Sequence, residues 1–447
     1  MRIGKEIFYR LSEYFLEASV QNYPNFPRIA VNAGWLLGDS VVRMGFGFFI
    51  TTWMIRYLGP EQFGILSYAI AFVALFSPLA KMGLDTIIVR NIVQNPARKD
   101  EILGSAFILK LLGGGLVLIL TLVATCWIKP QDHSVRWLIG IVATGTIFQA
   151  FEVIDFYFQS QVQSKYAVLS KNCAFMAVSM IKVFLILTSA PLIAFAITGV
   201  IEIALGGIGL VISYQIAKQS FKKWLASFNE IKRLLKDSWL VALDGFAIMI
   251  QACIDQIMLA KFKGNYELGQ YAAALQIVVS VSFIFILISS SFAPFMTEAK
   301  AKDKKLYEHR LFLLYRLMFL SFLCVAIPIS LFALPITDLL FGKQYSYAGF
   351  LLSFMTIRLF FTATGTARNL FIVNEGLFAY SLLTTSIGAV FNIGCNSILI
   401  PLWGSVGAIV SMAISFFITI FLIDFFYLKT KTSVKLMISA ITFSKNK

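Results

Sequence analysis

CAFMAVSMIKVFLILTSAPLIAFAITGVIEIALGGIGLVISYQIA, residues 173–217, carries only two charged residues, Lys182 and Glu202. As one helix rising ~1.5 Å per residue, it would be about twice as long as a ~30 Å hydrocarbon core is thick. The run must therefore cross an apolar phase, turn and cross back. Thr188-Ser189-Ala190-Pro191 is the place to turn, because proline cannot continue a helix. Lys182 lies nine residues before Pro191 and Glu202 eleven after it. The two reach similar depth on antiparallel neighbours and are expected to form a structural ion pair. Pro401 divides a second double-length run, 376–428, in the same way.

Stretches of spanning length, about 20 residues, recur on both sides of this hairpin. They lie near 31–57, 62–88, 103–127, 136–159, 167–189 and 192–216, then near 239–260, 268–293, 310–340, 347–372, 376–400 and 403–427. Twelve such stretches predict an all-α integral membrane protein. A content of 58% apolar and 14% charged residues, with mean hydropathy +0.80, excludes an ordinary soluble domain.

Lysine and arginine orient the bundle. With twelve crossings both termini share one face. There lie Arg2, Lys5, Arg10, Arg28, Arg90, Arg98, Lys99, Lys165 and Lys171, the bases from Lys218 to Lys236 and from Lys300 to Arg310, and those from Lys429 to Lys447. The opposite loops hold Arg56, Lys129, Arg136, Lys261, Lys263 and Lys343, a split of 25 against 6. By the positive-inside rule both termini are expected in the cytoplasm, which suits a multi-pass protein of the inner (cytoplasmic) membrane. The net charge of +15 then reads as anchoring to anionic lipid headgroups, with membrane lipids rather than nucleic acid as partners.

The expected organisation is an arm at 1–28, a six-helix lobe at 29–217, a basic linker at 218–237, a second six-helix lobe at 238–428 and a basic tail at 429–447. In the arm, Ile3, Ile7, Phe8, Leu11, Tyr14 and Phe15 recur at helical spacing. They suit either a short helix on the membrane surface or a disordered arm. Cys126, Cys173, Cys253, Cys324 and Cys395 fall within or at the ends of spans, without a C-x-x-C pair, and read as packing residues. His133 and His309 sit on opposite faces, so no histidine metal site is expected. No G-x-x-x-x-G-K-[ST] loop occurs, which argues against ATP hydrolysis.

The two sets of six echo each other. Asp39, Gly59 and Gly64 recur 205 residues later as Asp244, Gly264 and Gly269. Like-oriented six-helix halves are a transporter architecture, with substrate between the halves and access alternating as they rock. The expected fold is thus two pseudo-symmetric six-helix bundles around a central cavity.

Leu58-Gly59-Pro60-Glu61-Gln62-Phe63-Gly64-Ile65, then Lys81-Met82-Gly83-Leu84-Asp85 and Ile88-Val89-Arg90, resemble the signature of Wzx-like polysaccharide-biosynthesis flippases. So do Asn392, Asn396 and the stretch Pro401-Leu402-Trp403-Gly404-Ser405-Val406-Gly407-Ala408. The resemblance extends over residues 29–428. It implies a cargo of undecaprenyl-diphosphate-linked oligosaccharide turned toward the outer leaflet. It also implies a place beside polysaccharide polymerase and chain-length machinery in making O-antigen of lipopolysaccharide, capsule or exopolysaccharide. Neither catalysis nor a cofactor is implied; the protein reads as a transporter, coupled to H⁺ or Na⁺.

Seven bases fall within spans: Arg43, Lys81, Lys110, Lys182, Arg316, Arg358 and Arg368. Each needs a partner, water or an escape route. Lys81, Lys110, Arg316 and Arg368 lie near the cytoplasmic ends and can snorkel. Arg43 and Arg358 lie near the centres of spans one and ten and are the preferred diphosphate contacts, since a guanidinium offers a planar fork to phosphate oxygens; structural ion pairs are the alternative. Lys81, Lys110 and Arg368 join them as candidate substrate contacts, with Asn392 and Asn396 for sugar hydroxyls. Asp39 and Arg43 are four apart, as are Lys81 and Asp85, and such pairs can neutralise each other. Asp39, Asp244 and Asp255 are candidate ion-coupling carboxylates, with hydrogen bonding between helices as the alternative. A cation-coupled multidrug exporter is the nearest rival reading. An integral-membrane polymerase or ligase is the more distant one, since the outer loops are too short to build its site.

Overall fold

A computed structural model describes residues 26–128 and 132–444. The surface helix expected between Ile3 and Phe15 lies outside them. The first half contains α1 (Phe26–Lys81), α2 (Asp85–Gln94), α3 (Lys99–Ile128), α4 (His133–Phe148), α5 (Val153–Ser160), α6 (Lys165–Leu187) and α7 (Leu192–Ile216). The second contains α8 (Phe228–Lys263), α9 (Asn265–Lys302), α10 (Lys304–Leu331), α11 (Ala333–Phe341), α12 (Ser346–Met355), α13 (Ile357–Glu375), α14 (Phe378–Phe417) and α15 (Ile423–Phe426). A tail helix, α16 (Lys431–Ile441), follows. No strand occurs among the described residues.

Among those residues, nine helical segments are long and apolar enough to cross a membrane, ten if the bent pair around α12 and α13 is one crossing. Two of the segments are broken at glycines with non-helical dihedrals, α1 at Gly59 (φ 72°, ψ 168°) and α14 at Gly404 (φ 57°, ψ −132°). Dividing each at its glycine raises ten to twelve, the number of apolar stretches in the sequence. Large apolar side chains face outward along these helices, with Phe49, Met180 and Val390 about 70% exposed. That much apolar surface is at home only against lipid. The chain is a multi-pass membrane protein. Helices suit that setting because each satisfies its own backbone hydrogen bonds.

The repeat has a structural counterpart. Gly59 and Gly264 (φ 90°, ψ 176°) adopt nearly the same left-handed conformation, one that a side chain would strain. Each opens a helix, α1's second arm and α9. The turns then meet reciprocally. A Cβ on Gly64 would lie 1.9 Å from the Asn265 carbonyl oxygen, and one on Gly269 would lie 1.8 Å from that of Pro60. The glycines let the two backbones touch.

The same end of the molecule, the turn face, is closed between the halves. The Tyr345 hydroxyl donates to the Ile55 carbonyl at 2.9 Å, and Gln344 Nε2 to the Arg56 carbonyl at 2.8 Å. Within the second half, Gln270 fixes this segment by donating to the Gln344 carbonyl at 2.7 Å and accepting from Ala348 N at 2.9 Å. At the opposite, basic face the halves also meet, with Arg98 bonded to Glu230 near the start of α8 at 2.8 Å. Gly83 lies against Val241 and Ala242, and an exposed Arg90–Asp237 pair spans 3.4 Å. Here α8 begins at Phe228, so the second part of the stretch read as a linker is the first turns of the seventh crossing.

Candidate functional site

The first half carries a chain of ion pairs. Arg43 Nε donates to Asp39 Oδ1 at 2.9 Å, and its guanidinium lies 5.5 Å from the Phe175 ring centre. Lys182 and Glu202 meet at 3.1 Å across the Pro191 hairpin. Lys171 sits inside α6, not among the loop charges, and bonds Asp155. Arg43, Lys171, Glu152 and Glu202 line a small cavity of about 190 Å³. Asp39 also lines a groove with Trp35 and Asn172. This half is balanced: each of its intramembrane bases with the exception of Lys81 is matched by a carboxylate.

Lys110 does not snorkel. Its side chain is fully buried, 2.9 Å from Glu152 and 3.8 Å from Asp85, with the Phe156 ring centre at 4.8 Å. Depth along the helix suggested an escape route, but the side chain points into protein, where a charge must be paired. The Lys81–Asp85 pairing also fails. Helix α1 ends at Lys81, Gly83 (φ 62°) turns the chain, and Asp85 opens α2 facing Lys110 instead. Lys81 is left exposed at the basic face.

The second half is different. A cavity of about 650 Å³ is lined by Arg358, Gln251, Ser289, Thr362, Thr366 and Asn369, among others. Arg368 lines it too, but it is held: Nε and Nη2 donate to the two oxygens of Asp424 at 2.6 and 2.8 Å, and Nη2 reaches Thr384 Oγ1 at 3.2 Å. With 8% of its side chain exposed, Arg368 does not snorkel either. Arg358 makes no ion pair. No carboxylate lies within 4.0 Å of it among the described residues, Asp255 is only within electrostatic reach, its buried Nη1 has no hydrogen-bond partner, and its guanidinium lies 5.8 Å from the Phe416 ring centre. An intramembrane arginine with no carboxylate in contact is tolerable where water or an anion reaches it. The cavity supplies that access.

Arg43 and Arg358, expected as joint phosphate contacts, thus line separate cavities. The asparagines are not sugar contacts in this conformation. Asn392 and Asn396 are 1% and 0% exposed. Asn396 Nδ2 donates to Asp255 Oδ1 at 2.6 Å and to Asn392 Oδ1 at 3.2 Å. Asp255 also accepts from the Tyr271 hydroxyl at 3.3 Å. Asn396 Oδ1 is buried with no donor. Asp244 accepts from Thr385 at 3.0 Å and Ser381 at 3.4 Å. Sequence reasoning missed Asp424 and the hydroxyl lining. Asp424 lies as near the end of crossing twelve as Arg368 does to the end of ten, so the depth matching applied to Lys182 and Glu202 would have found it. Among the described residues no group of acids, histidines and cysteines is placed to hold a metal ion.

Apolar crossings in two related halves, with a polar cavity that holds Arg358, make up a fold shared with solved membrane transporters. The lipid II flippase MurJ in an inward closed conformation matches with TM-score 0.70 at 13% identity, over 93% of this chain and 91% of that one. An inward-facing multidrug resistance MATE family transporter of the MOP superfamily matches with TM-score 0.67 at 14% identity, over 90% and 93%. A MOP superfamily transporter from Pyrococcus furiosus, described as having a binding pocket of reverse polarity, matches with TM-score 0.62 at 13% identity, over 92% and 95%. Such identities speak for the fold alone. A search of curated proteins by sequence finds no match. The family is set by sequence: the pattern of the polysaccharide biosynthesis protein family matches residues 29–300, and the chain belongs to that family.

Proposed function

We propose that the protein is a flippase that moves undecaprenyl-diphosphate-linked oligosaccharide from the cytoplasmic to the outer leaflet of the inner membrane by alternating access. Residues 29–217 and 228–428 act as the rocking lobes, joined by 218–227, with both termini in the cytoplasm. The product is a repeat unit for O-antigen, capsule or exopolysaccharide, handed to polymerase and chain-length machinery on the far side.

Arg358 carries this reading. A diphosphate leaving water needs a cation that is not already neutralised, and an arginine fork suits its oxygens. The hydroxyls and amides around Arg358 suit sugar. The MATE folds fit the backbone equally well, but an arginine without an ion pair repels the cationic drugs of the rival reading. The test is movement of a fluorescent undecaprenyl-diphosphate oligosaccharide in proteoliposomes. Losing a charge-assisted hydrogen bond worth roughly 1.5–3 kcal/mol should slow Arg358→Ala by about tenfold or more, with Arg358→Lys partly active. Wild-type movement by Arg358→Ala sinks the site. Efflux of a cationic dye, with no glycolipid movement, hands the protein to the multidrug reading.

Asp255 is the preferred coupling carboxylate, ahead of Asp39, which is neutralised by Arg43, and Asp244, which takes two hydroxyl donors. Around Asp255 the pairing is incomplete on both sides, since Asn396 Oδ1 has no donor and Asn392 Nδ2 no acceptor. A proton or Na⁺ at the carboxylate would neutralise its buried charge. Asp255→Asn is expected to flip substrate at a rate indifferent to imposed Na⁺ or pH gradients, whereas the wild type follows one of them. A mutant that still responds to the gradient removes Asp255 from the coupling.

A further inference from the structure

A second cavity, of about 570 Å³, lies at the basic face of the second half, apart from the Arg358 cavity. Its walls come from the end of α9, the start of α10, the end of α13 and the tail from Leu428 to Leu436. One side is apolar, with Leu311, Phe371, Leu377 and Leu436. The other presents Lys300, Lys304 and Lys429.

The two carboxylates in the lining leave one positive charge over, and one of the two pairs is loose. Glu375 is held by Lys300 at 3.0 Å, and Glu308 is 3.9 Å from Lys304, whose side chain is 87% exposed. Lys429 has no carboxylate within 4.0 Å among the described residues. Tyr307, 6% exposed, adds an independent sign. Its hydroxyl is buried beside Glu375, whose carboxylate is held by Lys300. A hydroxyl that shares its acceptor with an ammonium group can donate instead to a phosphate oxygen brought into the cavity.

The unpaired Lys429, the loosely paired Lys304, a hydroxyl donor and an apolar wall in one pocket match an amphipathic anion. We propose that this cavity binds an anionic phospholipid of the leaflet at the basic face. Its phosphate lies between Lys304, Lys429 and the Tyr307 hydroxyl, and the start of its acyl chains lies against the leucines. The site also clasps the tail. Helix α16 docks on α10, where the Tyr315 and Ser433 hydroxyls meet at 2.6 Å, so the lipid bridges tail and bundle.

The test is native mass spectrometry of the full chain in neutral detergent, offered phosphatidylglycerol, phosphatidylcholine or sodium phosphate alone. Phosphatidylglycerol should be retained in preference to phosphatidylcholine, and inorganic phosphate should be lost, because it gains nothing from the apolar wall. Each of Lys304→Ala and Lys429→Ala should cut retention about fivefold. Tyr307→Phe, which removes only the hydroxyl, should cut it about threefold or more. Lys431→Ala with Lys435→Ala, on the same helix but outside the cavity, should leave it unchanged. Equal retention of phosphatidylcholine, phosphate binding as strong as that of the lipid, or an equal loss in the Lys431 and Lys435 control would overturn the site.

Discussion

Asp424→Ala is expected to lower the stability of the folded protein by about 3–5 kcal/mol, the cost of leaving a buried charge without its partner. Arg368 gives Asp424 two parallel bonds at 2.6 and 2.8 Å, and the two side chains are 8% and 1% exposed. The Tyr380 hydroxyl donates to the same carboxylate at 2.8 Å, so its hydrogen bond is lost too. These bonds tie α13 and α14 to the end of the twelfth crossing. Replacing both charges by apolar residues of similar size, Arg368→Met with Asp424→Leu, should recover much of the loss, because a buried pair is worth little more than good packing. Thermal unfolding in detergent checks both. Asp424→Ala melting with the wild type, or a double variant no better than the single, would show that the pair is not the tie described here.

How much of this was legible beforehand depends on what each inference needed. Span number needs only lengths of apolar sequence, and it survives even where Gly59 and Gly404 fuse neighbouring helices into one. Lys182–Glu202 needed a hairpin and a count of residues from Pro191. Asp39–Arg43 needed helical spacing within an unbroken helix. Lys81–Asp85 used the same rule and failed because Gly83 ends that helix. The buried state of Lys110 was not legible, because depth along an axis says nothing of whether a side chain faces lipid or protein. Asn392 and Asn396 were placed on one helix face, but which neighbour covers that face depends on how α14 packs against α8. That Arg358 makes no ion pair among the described residues is the hardest of these to foresee, since it depends on what every surrounding helix presents to it.

The reciprocal glycine contact carries the other large effect. In Gly64→Ala the new Cβ would sit 1.9 Å from the Asn265 carbonyl oxygen, and in Gly269→Ala 1.8 Å from that of Pro60. Both obstacles are backbone, so no side chain can swing aside; the halves themselves must part. Overpacking of this kind costs about 1–3 kcal/mol, and it falls only on the state in which the turn face is closed. A transporter that must close this face once per cycle should therefore slow by about fivefold to a hundredfold in either variant. The double variant should be hardly worse than either single, because one separation relieves both clashes and contacting sites do not add. Labelling reports the opening directly. Ile55, buried where its carbonyl accepts from Tyr345 across this seam, should as Ile55→Cys resist a membrane-impermeant maleimide in the parent and react in both glycine variants. Wild-type rates with Ile55→Cys still protected would mean the contact yields locally. Additive losses in the double variant would mean that the two turns do not act as one seal.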